Sequence, residues 1–395
     1  MREMKNSGVA WIGNIPDSWK VAKIGQLFQC RNVKVNDTDF QPLSVSKGGI
    51  VPQMENVAKS DANDNRKQVL TGDFVINSRS DRKQSCGVSK LEGSVSLINT
   101  VLYNFDKGKV IPEYNNYLLK NYGFAEEFYR WGHGIVADLW TTRWQEMKNI
   151  GIPVPSIKTQ EAILSALRIK SKNISLLISN QEEQIEKLKQ YKQSLITEVV
   201  TKGLNPDVPM KDSGTLKLGS VPDNWKIVRF KNVAILCNGK EVTSNNGNIP
   251  VYGSGGVFKY TDQPLFTGTS LLLGRKGTID NPMLVTDSFW TVDTMFYTSK
   301  IYGINPKYLY YACVGEIDFN YYKSGSVLPS MTQTEINNIF ITCPDKFEQK
   351  KIVDFLDDKC TKIDRLIAIK QEKIDKLNDY KKSLIYEYVT GKKEA

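Results

Sequence analysis

The sequence predicts a mixed α/β (α+β) fold: two tandem globular domains, each followed by a long helix, the helices pairing as an antiparallel coiled coil with pseudo-two-fold symmetry. Three observations predict it. The stretch "KLKQYKQSLITEVVTKG" (187–203) returns near the C-terminus as "KLNDYKKSLIYEYVTGK" (376–392), with ten of seventeen positions identical and no gap. The openings "MKNSG" (4–8) and "IPDSWK" (15–20) return as "MKDSG" (210–214) and "VPDNWK" (221–226), offset by 206 residues. Between these ends, short β-like runs alternate with glycine-rich turns in both halves.

In chain order, the first globular domain covers 1–155. Its β-like runs include "DFVINSR" and "SVSLINTVLYNF", with a turn cluster at "SKGGI" and a helix expected over 113–130. The second covers 215–345, with "TSLLLGRKG", "DTMFYTS", the cluster "VYGSGGVF" and a helix over 306–318. A Pro- and Gly-rich linker, 204–214, separates the repeats. The helical pair is offset by 189 residues, from Gln160/Gln349 to Thr201/Thr390, so the second globular part has lost 17 residues relative to the first. Two domains sharing a scaffold but touching different things would diverge in this way.

The helices are expected over 156–203 and 346–395. Residues 159–201 hold neither Pro nor Gly and would span roughly 60 Å as one helix. Apolar residues recur at sevens: Leu167, Ile174, Leu188 and Leu195, matched by Leu356, Ile363, Leu377 and Leu384. A second row, Leu177, Gln184 and Tyr191 against Leu366, Lys373 and Tyr380, is expected to complete a heptad seam. Ile178, Ile185, Ile367 and Ile374 widen the stripe, which leaves apolar surface for helices of partner subunits. Each helix has the other as its mate, and an antiparallel pair would act as a rod that spaces the globular domains.

Basic residues follow the strands: Arg79, Arg82 and Lys83 in "NSRSDRKQS", Arg275 and Lys276 in "LLGRKGTID", with Arg79 and Arg275 equivalent under the repeat. Arginine there can pair with guanine or neutralise a phosphate, or it can brace its own domain in a salt bridge. Arg143, among the aromatics of 128–147, and Ser326, in the Ser/Thr-rich counterpart 322–336, complete the candidate DNA-binding set.

The net charge of +10 favours a polyanionic partner, nucleic acid ahead of an acidic membrane. One histidine, His133, speaks against His-based triads and multi-histidine metal sites. Six scattered cysteines without a CxxC pair, no long apolar run and no signal-like N-terminus point to a cytoplasmic protein with free thiols. "NPKY" (305–308) lacks the second proline of an amino-methyltransferase element, and "YGSGGV" (252–257) lacks the GKS/T of a P-loop. No catalytic site or metal site is expected.

A tandem pair of this kind resembles the specificity subunit of type I restriction–modification systems (the HsdS family). The likeness is carried by "WIGNIPDSWK" and "LGSVPDNWK" and by the two matched helices, and it covers essentially the whole chain. The resemblance implies two target recognition domains that each read half of a split double-stranded DNA site. It implies helices that dock two methyltransferase (modification) subunits, to which restriction/translocase subunits add. S-adenosylmethionine, ATP and Mg would belong to those partners, with no cofactor on this chain. The alternative is a coiled-coil adaptor joining two protein-binding domains without DNA recognition.

Overall fold

The computed structural model describes residues 2–54, 64–106, 108–134, 140–215, 218–242, 244, 246–323 and 328–395. Its helices, in chain order, are α1 (Pro112–Leu118), α2 (Tyr122–Arg130), α3 (Trp144–Met147) and α4 (Ile157–Lys202). They continue with α5 (Pro306–Glu316), α6 (Phe319–Lys323), α7 (Gln333–Asn338) and α8 (Lys346–Val389). The chain forms two compact units: unit 1 is Met1–Asn180 with Glu372–Ala395, and unit 2 is Gln181–Gln371.

Unit 1 centres on an antiparallel four-stranded sheet in the order Cys86–Val88, Phe74–Asn77, Asn99–Asn104, Phe28–Cys30. The run "SVSLINTVLYNF" is two strands in different sheets. Gly93–Ser96 joins Arg66–Val69 and Lys34–Val35, and the break falls at the exposed Leu97 and Ile98. The single helix expected over 113–130 is two, α1 and α2. Asn121 stops the first and caps the second, its side-chain oxygen accepting from Phe124 N at 3.0 Å. "SKGGI" is the turn of a hairpin, Leu43–Ser46 with Gly49–Pro52.

Unit 2 repeats the central sheet strand for strand: Met283–Val285, Ser270–Gly274, Met295–Ile301, Ala234–Asn238. A second sheet orders Gly256–Thr261, Ile249–Gly253, Ser288–Thr291 and Phe266–Thr267. The helix expected over 306–318 ends at Glu316, and α6 follows. Residues 210–212, within the stretch read as linker, form a strand paired with Ser220–Pro222, as Met4–Asn6 pairs with Asn14–Pro16.

The same devices fasten each globular part to its helices. Gln160 and Gln349 are buried at the start of α4 and α8. Gln160 accepts from Ile111 N at 2.9 Å and donates to Lys109 O and Pro155 O. Gln349 accepts from Asn305 N at 2.7 Å and donates to Pro344 O. A buried amide with both ends satisfied is costly to replace, which gives this repeated pair a structural reason. In unit 1, Tyr386 Oη donates to Trp11 O at 2.7 Å, and Leu384, Tyr388 and Val389 join the core with Trp19, Phe124 and Leu167. In unit 2, Trp225 Nε1 donates to Glu348 at 2.9 Å, and Ile196, Val199 and Val200 join the core with Phe230, Tyr308 and Leu356.

Within each unit the long helices run antiparallel. In unit 1, Lys381 Nζ donates to Ser175 Oγ at 2.8 Å and Lys170 Nζ lies 5.4 Å from the Tyr388 ring centre. In unit 2, Lys192 pairs with Asp364 at 2.7 Å and Lys370 donates to Gln184. The first heptad row lies inside as expected: Leu167, Ile174, Leu356, Ile363 and Leu384 are buried, while Leu188, Leu195 and Leu377 are half-buried.

The second row is a correction. Leu177 and Leu366 are 46% and 48% exposed, and Tyr191 and Tyr380 are 57% and 51% exposed. Their place is taken by Ile185 and Ile374, which are buried, and Ile178 and Ile367, which are half-buried. Positions three and four residues on flank the same face of a helix. Burying the isoleucine at i+4 therefore turns the residue at i+3 outward.

Candidate nucleic-acid interface

In unit 1 the segment Arg79–Ser85 closes the turn between strands Phe74–Asn77 and Cys86–Val88. Ser85 N donates to Arg82 O, Arg82 N to Arg79 O, and Gln84 sits at φ +62, a conformation uncommon outside glycine. Arg79 Nε donates to Asp81 at 3.1 Å, and Arg82 is 3.6 Å from the same carboxylate with its side chain 67% exposed. Lys83 pairs with Glu126 at 2.5 Å and lies 5.9 Å from the Tyr129 ring centre, turned toward α2.

Arg143 comes to the same place from far along the chain. Thr141 bridges to Arg79, and Thr142 N donates to Ser78 O at 3.0 Å, which sets the exposed Arg143 beside the Arg79 turn. Unit 2 repeats this crossing, with Lys276 bridged to Ser330 and Met331 N donating to Arg275 O at 2.9 Å. Thr141 and Ser330 differ by the 189-residue offset of the helical repeat, so the two basic turns correspond, but with Arg79 matched to Lys276 and Ser78 to Arg275, which corrects the expected pairing of Arg79 with Arg275 by one residue.

Arg275 is half-buried. Its Nη1 donates to Asp293 O at 3.3 Å and its guanidinium carbon stands 6.0 Å from the Phe296 ring centre, while Lys276 is exposed. Ser326 lies outside the described residues. Sequence reasoning missed Lys240. This exposed residue is fixed by its own backbone, which donates to Thr291 O and accepts from Trp290 Nε1 at 2.8 Å. The adjoining segment 292–294 also accepts from Arg275 and Lys276, so these cations share one loop cluster. The strand Ala234–Asn238 precedes Lys240 as apolar strands precede the two arginines, and that spacing was the signal that could have found it.

Other basic residues brace the fold. Arg31 makes a bidentate pair with Asp73 at 2.7 and 3.0 Å, and its guanidinium is held further into the charged form by that carboxylate. Arg66 is buried against Ser94, and Lys67 donates to Asn99 O.

The type I restriction modification DNA specificity domain matches residues 222–379, the second globular part with most of α8. A putative type I restriction enzyme specificity subunit, MjaX, of Methanocaldococcus jannaschii is 23% identical over 96% of this chain and 95% of its own length. The chain is thus similar to a type I restriction enzyme specificity subunit along nearly its whole length. A second relative from the same organism, the MjaVIII specificity subunit, is 25% identical over 62% of each chain. In fold, the chain is similar to one solved for complex assembly and conformational transition of a type I R-M system. The TM-score is 0.71 at 14% identity, over 95% of this chain and 98% of that one. The six cysteines of the chain are free, and none of its helices among the described residues is long and apolar enough to cross a membrane.

Proposed function

We propose that this chain is a specificity subunit that reads a bipartite, asymmetric double-stranded DNA site and directs methyltransferase and restriction subunits to it, without catalysing a reaction itself. One observation carries the reading: the basic turn recurs at the same crossing of the same sheet in both units, yet with different side chains. Arg79, Arg82 and Arg143 stand in unit 1, and Lys240, Arg275 and Lys276 in unit 2. A shared scaffold with different contacting residues suits two different half-sites.

Two modification subunits would dock on the matched outward residues. Unit 1 presents Leu177 and Tyr380, and unit 2 presents Leu366 and Tyr191. S-adenosylmethionine, ATP and Mg belong to those partners, and the assembly works in the cytoplasm. The test is methylation mapping in cells that express the partner methyltransferase, with and without this chain. One split motif, two short blocks around a fixed spacer, is expected only when the chain is present, and an unchanged methylome would refute the reading. Arg79→Ala and Arg275→Ala should each weaken DNA binding by about 1–3 kcal/mol where the guanidinium is bidentate to a base.

A further inference from the structure

Unit 2 carries an aromatic feature on the hairpin built around "YGSGGV" (252–257), a glycine-rich turn without the GKS/T of a P-loop. Strand Ile249–Gly253 pairs with Gly256–Thr261 around the turn Ser254–Gly255. Gly256, at φ +113, restarts the ladder in a conformation that glycine tolerates best. The register runs Gly253 to Gly256 and Tyr252 to Val257, then jumps to Val251 and Lys259. Phe258 is the extra residue of a β-bulge, and such bulges re-aim side chains.

The consequence is visible in the burial. Val257 and Phe258 are neighbours in a strand, yet both are exposed, Phe258 at 58%, and Tyr260 follows at 52%. The strand is an edge of its sheet. Folded proteins usually blunt such edges with charge, or spend the exposed apolar surface on a partner.

The surroundings select that partner. Phe258 lies over Gly253, where an added Cβ would stand 3.3 Å from the ring, and Lys259 Nζ is 5.6 Å from the ring centre. Across the turn, Ser254 Oγ comes within 3.1 Å of where a Cβ on Gly277 would stand, next to Arg275 and Lys276. Segment 291–294 joins this turn, through Val292 N to Tyr252 O, to the cluster holding Lys240. Four cations, Lys240, Lys259, Arg275 and Lys276, thus border an exposed aromatic edge, against the nearby acids Glu241 and Asp293. The equivalent hairpin of unit 1 has a regular register with no bulge, and Ile50 and Val51 stand where unit 2 has its aromatic strand.

We propose that the bulged Phe258 is an apolar reading element of unit 2. It enters a groove of duplex DNA and presses on the bases of one half-site, while the flanking lysines and Arg275 hold the phosphates. Apolar side chains contact thymine methyls or wedge between base steps in this way, and cations on either side supply the sequence-independent attraction. This rests on the DNA-reading function proposed above and names the residue that discriminates within it.

The test maps methylated motifs in cells expressing the partner methyltransferase with either the wild-type chain or Phe258→Ala, and checks that each complex still assembles. The alanine variant is expected to make one block of the split motif degenerate, or to lower its methylation at least tenfold in an assembled complex, with the other block unchanged. Phe258→Trp should preserve the block. An alanine motif identical to wild type in sequence and extent would overturn the proposal. So would failure of the alanine complex to assemble, since the ring would then serve the fold. If the wild-type chain itself yields no split motif, the functional reading falls rather than the role of Phe258.

Discussion

Units 1 and 2 share a sheet order, a buried glutamine clamp and an aromatic anchor, but they differ in what surrounds the anchor. Tyr114 in unit 1 donates to Val389 O at 3.3 Å and has no second hydroxyl to meet. Its counterpart Tyr308 is 2.6 Å from Thr342 Oγ1, and Thr342 Oγ1 in turn lies 2.9 Å from Val200 O. Thr342 also touches both oxygens of the buried Glu316, its N–H donating to Oε2 at 3.0 Å. At the register position of Thr342, unit 1 places Pro153, which has no N–H to give.

Thr342 Oγ1 thus sits among three partners, donating to Glu316 Oε1 with Tyr308 Oη 2.6 Å and Val200 O 2.9 Å away. Burial pushes the Glu316 carboxyl up to about 8, against the partial relief of its two bonds to Thr342. The parts that match between units fasten sheet to helix, and the parts that differ can carry properties private to one unit.

The largest effect should come from the helix core. Leu384 is buried in unit 1, while its repeat partner Leu195 is half-buried in unit 2. Leu384→Ala is expected to cost about 2–5 kcal/mol and Leu195→Ala clearly less. Equal shifts in chemical denaturation would break the asymmetry.

Next comes pH. A carboxyl raised in the folded state contributes stability that is complete below its unfolded value near 4.5 and is lost as pH rises through about 8. Unit 2 should therefore weaken as pH rises from about 4.5 to about 8 and level off above it, and Glu316→Gln, which keeps one donor and one acceptor, should flatten that slope. Thermal melts of both chains from pH 6 to 9.5 decide it, and parallel curves would exclude the neutral acid.

Removing the clamps should cost about 1–3 kcal/mol in each unit, Gln160→Leu matching Gln349→Leu. Unequal losses in the same melts would show that the shared device is not shared in energy. Smallest of all, Tyr191→Ala and Tyr380→Ala should move stability by less than about 0.5 kcal/mol, because both rings are outside the seam. Their effect should appear instead as weaker co-purification of the methyltransferase, and full assembly in the double variant would remove them from the docking face.

Much of this was legible in the chain itself. Helix α4 was expected over 156–203 and runs from Ile157 to Lys202, because a stretch without Pro or Gly and with sustained apolar periodicity has few other solutions. The repeat located the two basic turns but set their register one residue off: the sequence aligned Arg79 with Arg275, whereas the crossing strands place Arg79 opposite Thr141 as Lys276 is opposite Ser330. The seam was harder, because the i+3 and i+4 rows are both apolar and only packing chooses between Leu177 and Ile178. Asn121 could have been read as a helix cap, but inside an otherwise helical pattern its signal was weak. The bulge at Phe258 left no local trace, since register is a property of two strands and glycine-rich turns serve many ends.

The composition of unit 1 has a consequence for how the protein is made. Its core joins residues before Asn180 to Leu384, Tyr388 and Val389 near the other terminus, whereas unit 2 is continuous. On the ribosome, the 215 residues after Asn180 take roughly 10–40 s to appear. The first unit to be synthesised is thus the last to close, and its apolar helix face waits meanwhile for its mate. A chain cut short before Leu384 would lack part of the unit 1 core.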